Sequence, residues 1–71
     1  MAHDYPAILE KDGRWWIAST PDLPGANGQG ETIEEAKEDL KAAIELLLEM
    51  QREDGLRGMS EDAVLDVVHV A

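Results

Sequence analysis

"TPDLPGANGQGETIEEA", residues 20–36, decides the fold, because the chain changes there from extended structure to helix. Its two prolines fix their own φ angles and favour extended geometry in the residues before them. The three glycines that follow limit any strand within residues 26–30 to a short one. Thr32 and Glu35 then have the spacing of a capping box, which marks the start of a helix. The stretch therefore predicts a rigid crossover from a sheet to a helix.

The preceding segment "YPAILEKDGRWWIAST", residues 5–20, predicts a β-hairpin. Two apolar runs flank Asp12-Gly13, a dipeptide typical of two-residue type I′ turns. A turn centred on this dipeptide pairs Lys11 with Arg14, so that the numbers of paired residues sum to 25. Alternate residues then lie on opposite faces of the hairpin. One face is predicted to carry Tyr5, Ala7, Leu9, Trp16, Ala18 and Thr20, and the other Pro6, Ile8, Glu10, Trp15, Ile17 and Ser19.

The remainder of the chain predicts one helix and a final strand. Apolar residues recur at helical spacing from Ile33 to Met50, and Gly55 is placed to end the helix as its C′ residue. The β-branched run "AVLDVVHV", residues 63–70, favours a strand. The predicted order is βββαβ, a two-layer α+β fold in which one helix covers one face of a small sheet. Residues 1–71 are expected to form a single domain.

The composition limits the possible functions. Sixteen acidic residues against six basic ones give a formal net charge of −10, so stand-alone binding to DNA or RNA is not expected. Such a charge attracts a basic partner or, more simply, keeps the protein soluble. No apolar run is long enough to span a membrane, and the first residues carry no export signal, which predicts a cytoplasmic protein. A cysteine-free chain of 71 residues has a small core, so a homodimer or higher homo-oligomer is expected.

Several short motifs together resemble the N-terminal domain of HicB-like antitoxins. They are "YPAILEKDG" from Tyr5, "PDLPG" from Pro21, "QGET" from Gln29 and "EEA" from Glu34. The resemblance extends from Tyr5 to about Leu48 and implies a partial RNase H-like fold. It also implies that the protein neutralises a small RNA-cleaving toxin of the HicA type.

Two features of the sequence depart from the family pattern. Many members carry a further DNA-binding domain, and the sequence leaves no room for one after residue 71, so binding to operator DNA is not expected. Ala26 stands where relatives commonly have cysteine, which argues against thiol chemistry at this position.

No enzymatic site is predicted. The candidate carboxylates for a metal-dependent nuclease, Asp4, Asp12, Asp22 and Asp66, have no sequence relationship that would bring them together, although such chemistry needs converging carboxylates. His3 and His69 lack a third ligand at metal spacing. A phosphate loop at the helix start is disfavoured, because Glu31, Glu34 and Glu35 would repel a phosphate. We therefore expect no catalytic, metal or cofactor-binding residues.

A protein interface is predicted on the hairpin face opposite the helix. The helix is expected to cover Tyr5, Ala7, Leu9, Trp16 and Ala18, which leaves Ile8, Trp15 and Ile17 as an apolar cluster. Clusters of this kind often mark contacts between proteins. Two hypotheses follow. The first is an antitoxin-like module that covers the surface of a basic RNase, and the second is a stand-alone HicB-like homo-oligomer with another partner.

Overall fold

Three strands and one long helix are the regular elements of the part of the chain that the structure describes. The computed structural model describes residues 4–70. Strands β1 (Ile8–Asp12), β2 (Trp15–Ser19) and β3 (Asn27–Gly30) form an antiparallel sheet in the order β1-β2-β3. Helix α1 (Ile33–Arg57) follows and packs on one face of the sheet. The two-layer α+β class predicted from the sequence is confirmed.

The β1–β2 hairpin turns one residue later than predicted. Leu9 pairs with Ala18 and Asp12 with Trp15, so the numbers of paired residues sum to 27, and the predicted sum of 25 is wrong. The turn consists of Gly13 and Arg14. Gly13 has φ +60° and Arg14 has no positive φ, which is the pattern of a type II′ turn with glycine in its first central position. The two registers differ by two residues, an even number, so each side chain stays on its predicted face.

A small core lies between the sheet and α1. Ala18 and Ala36 are fully buried, and Leu40 and Ile44 extend the same stripe along the helix. Leu23 and Ala26, from the loop before β3, close one side. Tyr5, Leu9 and Trp16 pack against this core and are partly buried, as the predicted face assignment requires. Ala7, which was expected under the helix, is exposed.

Two glycines let the helix approach β3 closely. An added Cβ at Gly28 would lie 2.7 Å from the carbonyl oxygen of Ala36 and would also collide with the backbone nitrogen of Leu40. An added Cβ at Gly30 would lie 2.7 Å from the backbone nitrogen of Ala36. The sequence identified these glycines only as residues that shorten a strand. In the structure their missing side chains allow backbone to pack on backbone.

The start of α1 has the predicted cap. The N–H of Glu35 donates to Oγ1 of Thr32 at 3.1 Å, and Thr32 has the extended backbone of an N-cap. In return, Oε2 of Glu35 accepts from the N–H of Glu31 at 3.1 Å, one residue earlier than in a standard capping box. Two amides near the positive end of the helix are therefore satisfied by the chain's own side chains.

The helix continues beyond its predicted end. The prediction that Gly55 is the C′ residue is wrong, because α1 passes through it to Arg57 and Gly58 is the C-cap. A glycine inside a helix lowers the stability of the helix by only about 1 kcal/mol relative to alanine, so other interactions can carry the helix through it. The guanidinium of Arg57 lies 3.3 Å from Asp54 and 3.6 Å from Glu53, and its charge suits the negative end of the helix.

The extended helix projects past the sheet. Twenty-five helical residues measure about 37 Å, against about 17 Å for a five-residue strand. Residues 48–57 are all exposed, so this last part of α1 contributes nothing to the core.

The fourth strand predicted for residues 63–70 is not formed, and the described part of the chain is βββα rather than βββαβ. These residues, called the valine segment below, are exposed throughout. A strand needs a neighbour for its backbone hydrogen bonds, and the projecting helix carries this segment away from its own sheet.

Candidate interaction surfaces

The sheet face opposite α1 carries the predicted apolar cluster. Ile8, Trp15 and Ile17 all lie on this face, because the observed pairing puts Ala18 and Leu9 on the helix side. Trp15 and Ile17 are two residues apart on β2, and Ile8 is the diagonal neighbour of Ile17 across the hairpin. Ile8 is 48% exposed, and the other two are half-buried. The three residues form an oblique apolar stripe on an open sheet surface.

Polar and acidic residues surround this stripe. Ile17 lies between Glu10 on β1 and Gln29 on β3, and Asp12 is paired with Trp15. All three polar residues are exposed. The surface thus has an apolar centre and a polar rim with negative charge, an arrangement typical of protein interfaces.

Each tryptophan lies beside a cation. The guanidinium carbon of Arg14 is 4.8 Å from the centre of the Trp15 ring. On the helix side of the sheet, Nζ of Lys11 is 5.1 Å from the centre of the Trp16 ring. Cations within about 6 Å of an aromatic ring are attracted by its electron-rich face. Arg14 therefore helps to hold the Trp15 ring in place at the end of the stripe.

The exposed side of α1 is strongly acidic. The segment from Glu31 to Asp54 contains nine acidic and three basic residues. Among residues 4–70 the ion pairs on the helix are Lys37–Glu34 at 3.9 Å and the two made by Arg57, and all are solvent-exposed. Exposed ion pairs of this kind contribute little to stability. Most of the helix carboxylates have no ion pair within the described residues, so together they produce a negative electrostatic field around α1.

The candidate catalytic residues are not brought together. No group of three or more His, Cys, Asp or Glu side chains within residues 4–70 is placed to hold a metal ion. His69 lies in the exposed valine segment, and His3 lies outside the described residues. At the helix start, the capping contacts of Thr32 and Glu35 occupy amides that a phosphate would need.

The sequence did not predict a groove beside β1. It has a volume of about 790 Å³ and lies between the chain before β1 and one side of α1. Tyr5 and Ala7 form one wall, and Leu40, Ile44 and Leu48 form the other. The groove exists because the helix packs mainly over β3 and less over β2. A sequence pattern identifies the apolar face of a helix but not this sideways displacement.

Comparisons with known proteins identify relatives over almost the whole chain. Residues 5–69 match the model of a family described as HicB-like antitoxin of bacterial toxin–antitoxin systems. A UPF0150 protein of Synechocystis is 47% identical over 70 residues, which cover 96% of each chain. A UPF0150 protein of Helicobacter pylori is 36% identical over 66 residues, 92% of each chain. One from Archaeoglobus fulgidus is 37% identical over 54 residues, covering 72% of this chain and 78% of the relative. No solved structure matches significantly.

No helix within residues 4–70 combines the length and the apolar character needed to cross a bilayer.

Proposed function

Because the chain belongs to the HicB-like antitoxin family of bacterial toxin–antitoxin systems, we propose that it neutralises a small basic RNase toxin of the HicA type by covering its RNA-binding surface. The observation that supports this most directly is the apolar stripe of Ile8, Trp15 and Ile17 on a sheet face that the helix leaves open. In this proposal the protein itself catalyses nothing and binds no cofactor or DNA.

The acidic surface assists the encounter. A protein that binds RNA needs a basic surface to neutralise phosphates, and an antitoxin with net charge −10 is attracted to the same surface. Complementary charge mainly raises the association rate and is screened by salt. Association with the toxin should therefore slow as ionic strength increases. Because RNA is the toxin's substrate, the proposal places both proteins in the cytoplasm.

The apolar stripe supplies the affinity. Binding energy is usually concentrated in a few central residues, with tryptophan over-represented, and a polar rim excludes water around them. Trp15 meets this description, since it is half-buried, held by Arg14 and two residues from Ile17 on the same face of β2. Truncation of such an anchor often reduces the binding free energy by about 2 kcal/mol or more, which corresponds to roughly a 30-fold loss of affinity.

The proposal expects a small basic protein to be encoded beside this gene, and the test is co-expression of the two proteins, followed by pull-down and titration calorimetry. Trp15→Ala should weaken the complex roughly 30-fold and leave the far-UV spectrum unchanged. Leu46→Ala is a matched control, because Leu46 is 58% exposed and lies on the helix rather than on the sheet. If Leu46→Ala weakens the complex as much as Trp15→Ala does, the sheet face is not the contact. If the purified complex still cleaves RNA, the antitoxin role is wrong.

A second function is favoured by the amount of exposed apolar surface. Besides Ile8, large apolar side chains on α1 are exposed, among them Leu46, Leu48, Met50 and Leu56. A stand-alone homo-oligomer would bury such residues between copies without any toxin. In that case the stripe of Ile8, Trp15 and Ile17 would lie between copies, and Trp15→Ala would lower the mass of the isolated protein in sedimentation.

A further inference from the structure

The valine segment is the most exposed apolar part of the described chain. Its valines and leucine are between 65% and 88% exposed: Val64, Leu65, Val67, Val68 and Val70. As an extended strand it would place Val64, Asp66 and Val68 on one side and Leu65 and Val67 on the other. Both sides are mainly apolar, which is typical of a strand covered on its two faces. An isolated strand of this composition is an unstable state in water, because its backbone and its side chains both lack partners.

Within residues 4–70, the outer edge of β1 is the edge of the sheet that is open to such a strand. At the outer edge of β3, the N–H of Gln29 donates to the Asp39 carboxylate of α1 at 2.9 Å. An incoming strand would have to displace this bond and approach a negative charge. At the other edge, β1 pairs only with β2 among the described residues. The Gln29 N–H points away from β2. Because backbone groups alternate in direction along paired antiparallel strands, the N–H and C=O groups of Leu9 and Lys11 then point outward from β1, away from β2.

The groove lies beside residues 4–7, which lead directly into this open edge. A strand added to β1 would extend the sheet under the uncovered side of α1, where Leu40, Ile44 and Leu48 are available for contact. Lys37 and Lys41 also line the groove, and they are two of only six basic residues in the chain. Asp66 is the acidic residue in the middle of the valine segment. Asp4, Glu38 and Glu45 line the groove as well, so its charge is mixed. Lys37 already pairs with Glu34, which leaves Lys41 as the candidate partner for Asp66. The segment and the groove therefore match in apolar character.

The projecting helix indicates which copy of the segment is used. The last nine residues of α1, 49–57, lie beyond the groove, a length of about 14 Å, and they carry the valine segment away from the groove of its own chain. We propose that the valine segment of one copy adds to the outer edge of β1 in a second copy, with Val64 and Val68 in the groove and Asp66 near Lys41. A symmetric pair makes this exchange twice, so both segments and both grooves are filled. The proposal does not depend on a toxin.

The first experiment combines sedimentation equilibrium with amide hydrogen exchange on the isolated full chain. The expected mass is twice the 7.8 kDa of one chain, with slowed exchange at Leu9 and Lys11. The double variant Val64→Asp/Val68→Asp should raise the dimer dissociation constant about 100-fold or more and restore fast exchange at both amides. Its fold should persist, because neither valine belongs to the core.

The double variant Leu46→Asp/Leu56→Asp serves as the matched control, since it adds the same two charges at exposed apolar sites of α1 that do not line the groove. It should leave the dimer and the two protected amides unchanged. Dissociation by the Leu46/Leu56 double variant but not by the valine double variant would overturn the proposal. A monomer with protected Leu9 and Lys11 amides would also overturn it, because the segment would then return to its own sheet. Fast exchange at both amides in the wild-type protein would exclude strand addition altogether.

A charge exchange tests the contact in the groove. Asp66→Lys should weaken the dimer about tenfold, and adding Lys41→Glu to the same chain should restore most of the loss. Lys41→Glu added to the wild-type chain should weaken the dimer by a similar factor. Independent, additive effects of the two substitutions would show that the residues do not meet.

Discussion

One substitution, glycine to alanine, should have opposite effects at two positions of this chain. At Gly28 the new methyl group would lie 2.7 Å from the Ala36 carbonyl oxygen and 2.8 Å from Cα of Leu40. These are helix backbone atoms, so no flexible side chain can move aside. At Gly55 an added Cβ meets nothing within 4 Å, and the position lies inside α1 with no positive φ.

The expected magnitudes follow from these contacts. Overpacking usually costs about 1–3 kcal/mol, and a collision of backbone with backbone belongs at the upper end of that range. A domain of this size has a free energy of unfolding of roughly 4–10 kcal/mol, so a loss of about 3 kcal/mol in Gly28→Ala removes roughly 30–75% of it. Gly55→Ala should instead stabilise the protein by about 1 kcal/mol, the difference in helix propensity between the two residues.

The assay is urea unfolding followed by far-UV circular dichroism at one fixed protein concentration. The urea concentration at the midpoint of unfolding should fall for Gly28→Ala and rise for Gly55→Ala. The dependence of the unfolding free energy on urea should be similar in both variants and in the wild type. A Gly28→Ala protein as stable as the wild type would refute the close approach of α1 to β3. A destabilised Gly55→Ala protein would show that α1 does not continue through residue 55.

Three further outcomes are expected. Thr32→Ala should lower the free energy of unfolding by about 1 kcal/mol in the same urea assay, because it removes the acceptor for the Glu35 N–H, and an unchanged midpoint would argue against the cap. Trp16→Ala should lower the free energy of unfolding by about 2–3 kcal/mol, since Trp16 packs on the core. Trp15→Ala should leave the urea midpoint of a monomeric sample nearly unchanged. If Trp15→Ala is the more destabilising of the two, the two faces of the sheet are exchanged. The purified protein should not cleave a labelled RNA in the presence of Mg²⁺ or Mn²⁺, and cleavage that Asp66→Asn abolishes would contradict this.

The sequence predicted the faces of the hairpin better than its register. Asp12-Gly13 indicated a type I′ turn, but Gly13 takes the positive φ alone and Arg14 completes a type II′ turn. The sequence contains a good signal for either turn, and only the pairing of the whole hairpin decides between them. The assignment of Trp15 and Trp16 to opposite faces survived, because an even shift in register does not exchange the faces.

The errors after residue 50 have a different origin. Gly55 was expected to end the helix, although a glycine weakens a helix by only about 1 kcal/mol and ion pairs of Arg57 favour its continuation. The valine segment has the composition of a strand, but composition does not supply a neighbouring edge. The groove depends on the position of α1 across the sheet, which no periodicity in the sequence records.

The neighbouring tryptophans give the protein two independent fluorescent reporters. Trp15 and Trp16 are adjacent in sequence, yet one points to the open side of the sheet and the other to the core. In a Trp16→Phe variant the remaining indole should change its emission when a partner covers the sheet, and in a Trp15→Phe variant it should respond to unfolding. Association and folding of this chain can therefore be followed separately without an attached dye.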